Sequence, residues 1–282
     1  MRVIRSAQEM SRLSGRWQRQ GKRIGVVPTM GALHEGHCSL IRRAARDNDA
    51  VIVTIFVNPL QFGPKEDFAR YPRPFARDVR VARTAGADII FAPRRDAMYP
   101  ERFQTHIDPG PLALRWEGEH RPGHFRGVVT IVLKLFELTR PTNAYFGQKD
   151  YQQACIIQRM IRDLDLPIRM RWCPIIREPD GLAMSSRNAY LTPSQRAQAP
   201  VVWRALRSAR RRMLAGERRA ARIQQTMRRC LLRASKARIE YAAVVDAATL
   251  APQRRASGRI ALLIAVRLGG TRLIDNLLVD VP

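Results

Sequence analysis

Two histidines three residues apart, His34 and His37, close the stretch "VPTMGALHEGH", which follows a run of β-branched residues. Imidazoles at this spacing can ligate zinc, form a nucleophilic pair, or donate hydrogen bonds to a phosphate; the plain structural alternative is one satisfied surface histidine and one that caps the helix. Zinc needs further His, Cys or carboxylate ligands in register, and this H-x-x-H straddles a strand-to-helix turn instead of lying on one helical face. The context favours phosphate. Gly31 and Gly36 permit close backbone approach, and a helix starting near Gly36 turns its N–H groups and positive dipole end toward an anion.

Four further clusters carry chemistry. "GLAMSSRNAYL" sets the hydroxyls of Ser185 and Ser186 beside Arg187 in a segment with weak secondary-structure signal, suited to gripping phosphate. "FGQKD" places Lys149 at a strand end opening a helix, where a cation can neutralise developing phosphate charge. "FVNPLQF" offers the amides of Asn58 and Gln61 to hydroxyl or carboxylate oxygens. "RPGHFRGV" adds Arg121, His124 and Arg126, and Gln152 and Gln153 follow Lys149 on a first helical turn. The last two clusters read as a pocket for a small acid.

These residues need a scaffold. "RIGVVP" (23–28), "AVIVTIFVN" (50–58), "ADIIFAP" (87–93) and "AYFG" (144–147) read as buried parallel strands. Helical patterns over 36–48, 75–86, 127–141 and 150–164 alternate with them, which predicts a Rossmann-like, doubly wound α/β fold. After "SSRNAYL" two arginine-studded helical stretches, near 195–214 and 220–236, precede three strand-like runs at 239–246, 259–268 and 271–280. This predicts a smaller C-terminal α+β domain, with the boundary near residue 187: domains 1–187 and 188–282.

The net charge of +26 invites a nucleic-acid reading. Only five of the fifty basic residues are lysines, which points to a compositional preference for arginine. The excess concentrates from Asn188 onward, where 18 Arg and one Lys face five acids and no catalytic motif is readable. A binding module would use the helices around Arg204–Arg212 and Arg218–Arg229, yet Trp203 is the lone nearby aromatic for base stacking. No apolar run reaches eighteen residues, no secretory leader is readable, and Cys38, Cys155, Cys173 and Cys230 form no C-x-x-C pair, so a soluble cytoplasmic protein with reduced thiols is expected.

Taken in order, "PTMGALHEGH", "FVNPLQF", "YPR", "RPGHFRGV", "FGQKDYQQ", "DGLAMSSRN" and "RLIDN" resemble the motif set of the pantoate–β-alanine ligases from about residue 23 to the end. The resemblance implies an ATP domain, a C-terminal lid, a homodimer and use of magnesium. It also implies a two-step reaction in which pantoate is adenylated and β-alanine then displaces AMP. Carried over, the ATP contacts fall on Met30, Gly31, Ala32, Leu33, His34, Glu35, Gly36 and His37, on Gly147, Gln148, Lys149 and Asp150, on Ile176, and on Met184, Ser185, Ser186 and Arg187. His37 and His34 take the roles of phosphate donors; Lys149, Ser185, Ser186 and Arg187 steady the triphosphate; Gln61 holds pantoate and then β-alanine, and Gln153 and Asn58 complete the acid site. "PRPFARD" departs from relatives in being less acidic where some hold a metal, leaving Asp78 as the candidate ligand.

Overall fold

The computed structural model describes residues 1–64 and 66–281. The chain divides into two compact units: Met1–Gly147 with Gln153–Pro174, and Gln148–Gln152 with the segment from Ile175 onward. The first contains β1 (Arg2–Ile4), α1 (Ala7–Arg19), β2 (Ile24–Thr29), α2 (Glu35–Asp47), β3 (Ala50–Ile55), α3 (Phe75–Ala85), β4 (Ile89–Phe91), α4 (Arg95–Met98), α5 (Glu117–His120), α6 (His124–Thr139) and β5 (Asn143–Gly147). It also takes most of α7 (Tyr151–Asp163) and β6 (Arg169–Cys173).

These strands form one parallel sheet in the order β1-β4-β3-β2-β5-β6. Its central strands are apolar on both faces: Val26, Val27, Ile52 and Val53 have no measurable exposure. A strand buried on two sides needs helices on both, which the alternating connections supply. The chain runs from β2 outward through β3 and β4, then returns to β5 on the other side of β2. The order therefore reverses between β2 and β5, and the crevice outside their carboxyl ends is where an open α/β sheet binds ligand. α6 is apolar almost all round and mostly buried, from Phe125 and Val128 to Leu135 and Phe136.

The second unit holds α8 (Pro193–Gln198), α9 (Val201–Leu214), α10 (Ala220–Leu231) and an antiparallel sheet β7-β8-β9 (Ala237–Asp246, Gly258–Leu268, Thr271–Val281). Its core packs Val202, Leu206 and Met213 of α9 and Ile223 and Met227 of α10 against Ile260, Leu262 and Ile264 of β8. The arginines of both helices occupy the faces left over. No helix among the described residues is long and apolar enough to cross a membrane.

The expected doubly wound sheet with a smaller α+β unit is what folds. Five elements escaped the sequence reading: β1, β6, α1 and the four-residue helices α4 and α5. β1 is three residues long and β6, "RMRWC", is a polar edge strand, so neither shows a buried apolar run. α1 is strongly amphipathic and starts at Ser6, whose Oγ accepts from the Glu9 N–H. The helix expected from Gln195 is divided at Pro200, which cannot supply the N–H that would continue α8.

Candidate active site

The loop from β2 to α2 must satisfy its own backbone, because it turns sharply inside the protein. Gly31 takes φ +83° and Ala32 φ +50°, both left-handed. The Gly31 N–H donates to Thr29 Oγ1 at 3.1 Å; the Ala32 and Leu33 N–H groups donate to the two carboxylate oxygens of Asp78, each at 2.8 Å. The His34 N–H donates to His37 Nδ1 at 3.3 Å, and the Gly36 N–H donates to His34 Nδ1 at 3.2 Å. Side chains take all five of these donors.

The pairing corrects one expectation. The N–H groups at the start of α2 do not stand ready for an anion: those of Gly36, His37 and Cys38 are bonded to His34 Nδ1 and, twice, to the His34 carbonyl. Both histidines cap the helix, where the structural alternative had one capping and the other on the surface. Capping nonetheless sets up chemistry. An Nδ1 that accepts from a backbone N–H carries no proton, so the ring proton of both His34 and His37 sits on Nε2. The rings lie against each other at a 45° tilt with centroids 4.1 Å apart. The helix start thus presents imidazole N–H donors in place of backbone ones.

Next to this loop lies the amide pair from the sequence reading. Gln61 donates from Nε2 to Met30 Sδ at 3.1 Å, and its Oε1 accepts from Asn58 Nδ2 at 3.0 Å. Asn58 is fully engaged: Nδ2 also donates to the Gly127 carbonyl, while Oδ1 accepts from the Tyr99 hydroxyl at 2.7 Å and from the Leu60 N–H. Burial pushes the Tyr99 phenol above its ordinary pKa and keeps it a donor. Asn58 therefore orients Gln61 so that its NH2 faces Met30, with no spare polar atom of its own for a ligand. Gly127 makes this arrangement possible, since a Cβ there would lie 2.2 Å from the Leu60 carbonyl oxygen.

Arg121 and His124, expected in an acid pocket, are engaged on the same loop. Arg121 forks onto Glu66 at 2.8 and 2.7 Å and reaches the Gln61 carbonyl; His124 Nδ1 donates to that carbonyl at 2.8 Å while Nε2 accepts from Arg121 at 3.0 Å. Burial, helped by the Arg121 charge, holds the His124 pKa down at about 4, so the ring is neutral at physiological pH. Glu66, the Gln61 carbonyl and His124 take four of the five N–H donors of Arg121, so its guanidinium works mainly as a strut for the loop.

Gly147 and Gln153 belong to the first unit, and the second holds Gln148–Asp150, Ile176 and Met184–Arg187. Ile176 and Met184 face each other across a tight hairpin, with the Met184 N–H on the Ile176 carbonyl at 3.0 Å. Ser185 caps the one-turn helix Ser186–Tyr190 by accepting from the Arg187 N–H, and Asn188 donates to Glu178 Oε1 and the Ala183 carbonyl. Gln148, Lys149 and Asp150 form a single turn that β9 holds from behind: Asn276 Nδ2 donates to the Gln148 and Lys149 carbonyls, both at 2.9 Å. Its neighbour Asp275 is buried against Arg177 at 2.6 and 3.0 Å, and Arg177 lies over the Trp203 ring at 3.7 Å. The "RLIDN" motif thus works as a brace for the lysine turn. Tyr99, Glu66 and Arg177 were missed by sequence reasoning, and Tyr99 carries no local signal that would have found it.

A parallel sheet whose order reverses beside β2, with imidazole and amide donors at the carboxyl end of that strand, defines a Rossmann-like nucleotide-binding α/β protein. The comparisons narrow the class. The family model described as Pantoate-beta-alanine ligase matches residues 2–278, and the chain belongs to that family. It is 51% identical over 276 residues to pantothenate synthetase of Geobacter sulfurreducens, covering 98% of each chain. Against a crystal structure of pantothenate synthetase from Thermus thermophilus the TM-score is 0.93 at 44% identity, covering 98% of this chain and 99% of that one. A pantoate-β-alanine ligase from Francisella tularensis, solved with β-γ ATP and β-alanine, gives 0.82 at 34% identity over 99% of this chain and 97% of that one.

Two outcomes follow from the geometry. Gly127→Ala drives its methyl into the Leu60 backbone and is expected to lower the unfolding free energy by about 1–3 kcal/mol, read as a shift of the urea midpoint; an unchanged midpoint contradicts the packing. His124 binds its proton only near pH 4 when folded but near 6.5 when unfolded, so between those values the unfolded state holds more protons and stability rises with pH. The contribution is fully present above pH 6.5 and is lost as pH falls toward 4, on the order of 3 kcal/mol in total. Chemical unfolding of the protein and of His124→Gln between pH 4 and 7 measures it: the variant's profile should be flatter, and parallel profiles contradict the assignment.

Proposed function

We infer that this chain joins pantoate to β-alanine with the cleavage of ATP, giving pantothenate, AMP and pyrophosphate by way of a pantoyl adenylate. The observation that carries the reading is the pair of imidazoles with Nδ1 bound to backbone and the proton on Nε2, beside a Gln61 amide whose oxygen is already bonded. Family membership over residues 2–278 supports it, as does the Francisella relative with its β-γ ATP and β-alanine.

In the first step a pantoate carboxylate oxygen attacks the α-phosphorus; a P–O bond forms as the bond to pyrophosphate breaks, and the leaving group takes the electron pair. An ionised carboxylate needs no general base. What the step needs is alignment and neutralisation of charge on the departing phosphates. His37 and His34 supply Nε2–H donors, and Lys149, Ser185, Ser186 and Arg187 steady the triphosphate. Met30, Gly31, Ala32, Leu33, Glu35, Gly36, Gly147, Gln148, Asp150, Ile176 and Met184 line the nucleotide. Gln61, its oxygen taken by Asn58 and its NH2 on Met30 Sδ, turns that NH2 from the thioether to the acid, and Gln153 assists. In the second step the β-alanine amine attacks the acyl carbon, a C–N bond forms, the C–O bond to AMP breaks, and the nitrogen loses a proton.

Magnesium enters as the counter-ion of the triphosphate. Among the described residues no group of three or more His, Cys, Asp or Glu side chains is arranged to hold a metal ion, and both oxygens of Asp78 accept backbone N–H groups. The residues present do not build a magnesium cage, and no step depends on one. A homodimer working in the cytoplasm belongs to the same reading.

Incubation of the purified chain with ATP, pantoate and β-alanine should release AMP only when both acids are present; release independent of either one contradicts the reading. Lys149→Ala and His37→Ala should each slow adenylation on the order of 10²-fold, the scale of one preorganised donor. Near-normal turnover in either removes that side chain from its role.

A further inference from the structure

Asp78 is a buried carboxylate, 1% exposed, that the ligase chemistry leaves without a part. It sits in the first turn of α3, 46 residues beyond Ala32 of the loop it touches, and its contacts form a closed geometric set. Oδ2 accepts from the Ala32 N–H and Oδ1 from the Leu33 N–H, both at 2.8 Å. The same Oδ2 lies 2.9 Å from where a Cβ on Gly31 would be, so the loop backbone and the carboxylate meet at the closest approach that glycine allows. Between them Ala32 holds φ +50°, a conformation that an L residue with a Cβ leaves unless something restrains it.

We propose that Asp78 is a positioning residue for ATP: its carboxylate holds the Gly31–Leu33 backbone in its left-handed turn, and through that turn fixes where His34 and His37 aim their Nε2–H groups. The proposal rests on the ligase reading and adds a residue to it. Two consecutive N–H groups need two acceptor oxygens in one rigid plane, which a carboxylate has and an amide lacks. Asn at this position would turn an NH2 toward one of the two backbone donors and leave both groups unsatisfied. Thr29 grips the turn from the other end through Gly31, so removing Asp78 frees the middle of the loop while its entry stays anchored to β3 by Thr54.

The test is Asp78→Asn, read in three ways on the full-length protein. Amide hydrogen exchange of Ala32 and Leu33 should accelerate by about tenfold or more, while the β3 amides keep their protection. The kcat/KM for ATP should fall about tenfold or more, with kcat/KM for β-alanine at saturating ATP changed by less than roughly threefold. The magnesium concentration for half-maximal rate should stay within about twofold, because the loop and not the metal has been disturbed. Adding Ala32→Gly to Asp78→Asn should recover roughly fivefold in kcat/KM for ATP, since glycine adopts φ +50° without the Cβ penalty. If Asp78→Asn does not fold, Asp78→Glu keeps two oxygens but has no room for the extra methylene beside Gly31, and should show the same pattern more mildly. Unchanged exchange at Ala32 and Leu33, or a rate loss that added magnesium restores, overturns the proposal. A wild-type protein that makes no AMP would instead sink the ligase reading, and the exchange measurement, which needs no turnover, still decides whether Asp78 holds the loop.

Discussion

Between Thr29 and His37 the chain must leave a buried strand, reverse, and start a helix, and it does so by giving its backbone N–H groups to side chains. Thr29, Asp78, His37 and His34 take these donors in turn. Each capping bond of this kind contributes about 0.5–2 kcal/mol, and leaving a buried N–H unpaired costs about 1–3 kcal/mol. The loop is therefore held in one shape by acceptors, at the point where the sheet order reverses and a ligand belongs. The functional consequence is the tautomer of the two histidines. Because Nδ1 accepts, the ring proton sits on Nε2, and in the proposed function the local requirement of a helix start doubles as preparation for phosphate.

The same logic governs the amide beside it. Tyr99 donates to Asn58, Asn58 donates to Gln61, and the Gln61 NH2 ends the chain on Met30 Sδ. His124 does the reverse of His34 and His37: its Nδ1 donates to a carbonyl and its Nε2 accepts from Arg121, so it holds the Gln61 backbone and takes no ligand. Three histidines in one unit thus divide into two presenters and one strut, and the division follows from which ring nitrogen meets the backbone. In the second unit Asn276 plays the corresponding part for Lys149, from a strand more than a hundred residues later in the chain.

Much of this was legible in the sequence. Buried apolar runs at 23–28, 50–58 and 144–147 mark the central strands because such strands must be apolar on both faces. The motif residues, His34, His37, Lys149, Gln61 and the Ser185–Arg187 segment, stand out by type and spacing. What sequence could not show is which polar groups consume one another. Asn58, Arg121 and His124 look like ligands for an acid, yet all three are engaged by protein partners up to 69 residues away. Asp78 was a candidate metal ligand only through the family resemblance of "PRPFARD"; the fold brings both its oxygens onto the Ala32 and Leu33 N–H groups. Edge strands β1 and β6 were missed for the opposite reason, being too short or too polar to carry a pattern.

The central claim is that backbone capture of Nδ1 makes His34 and His37 Nε2–H donors. Nitrogen NMR of the ring-labelled protein at neutral pH measures it directly, before and after addition of a non-hydrolysable ATP analogue. The account predicts Nδ1 resonances of both rings in the unprotonated, hydrogen-bonded range and Nε2 resonances in the protonated range, the latter shifting when the analogue binds. Nδ1 protonated in either ring, or Nε2 signals indifferent to the nucleotide, would contradict it.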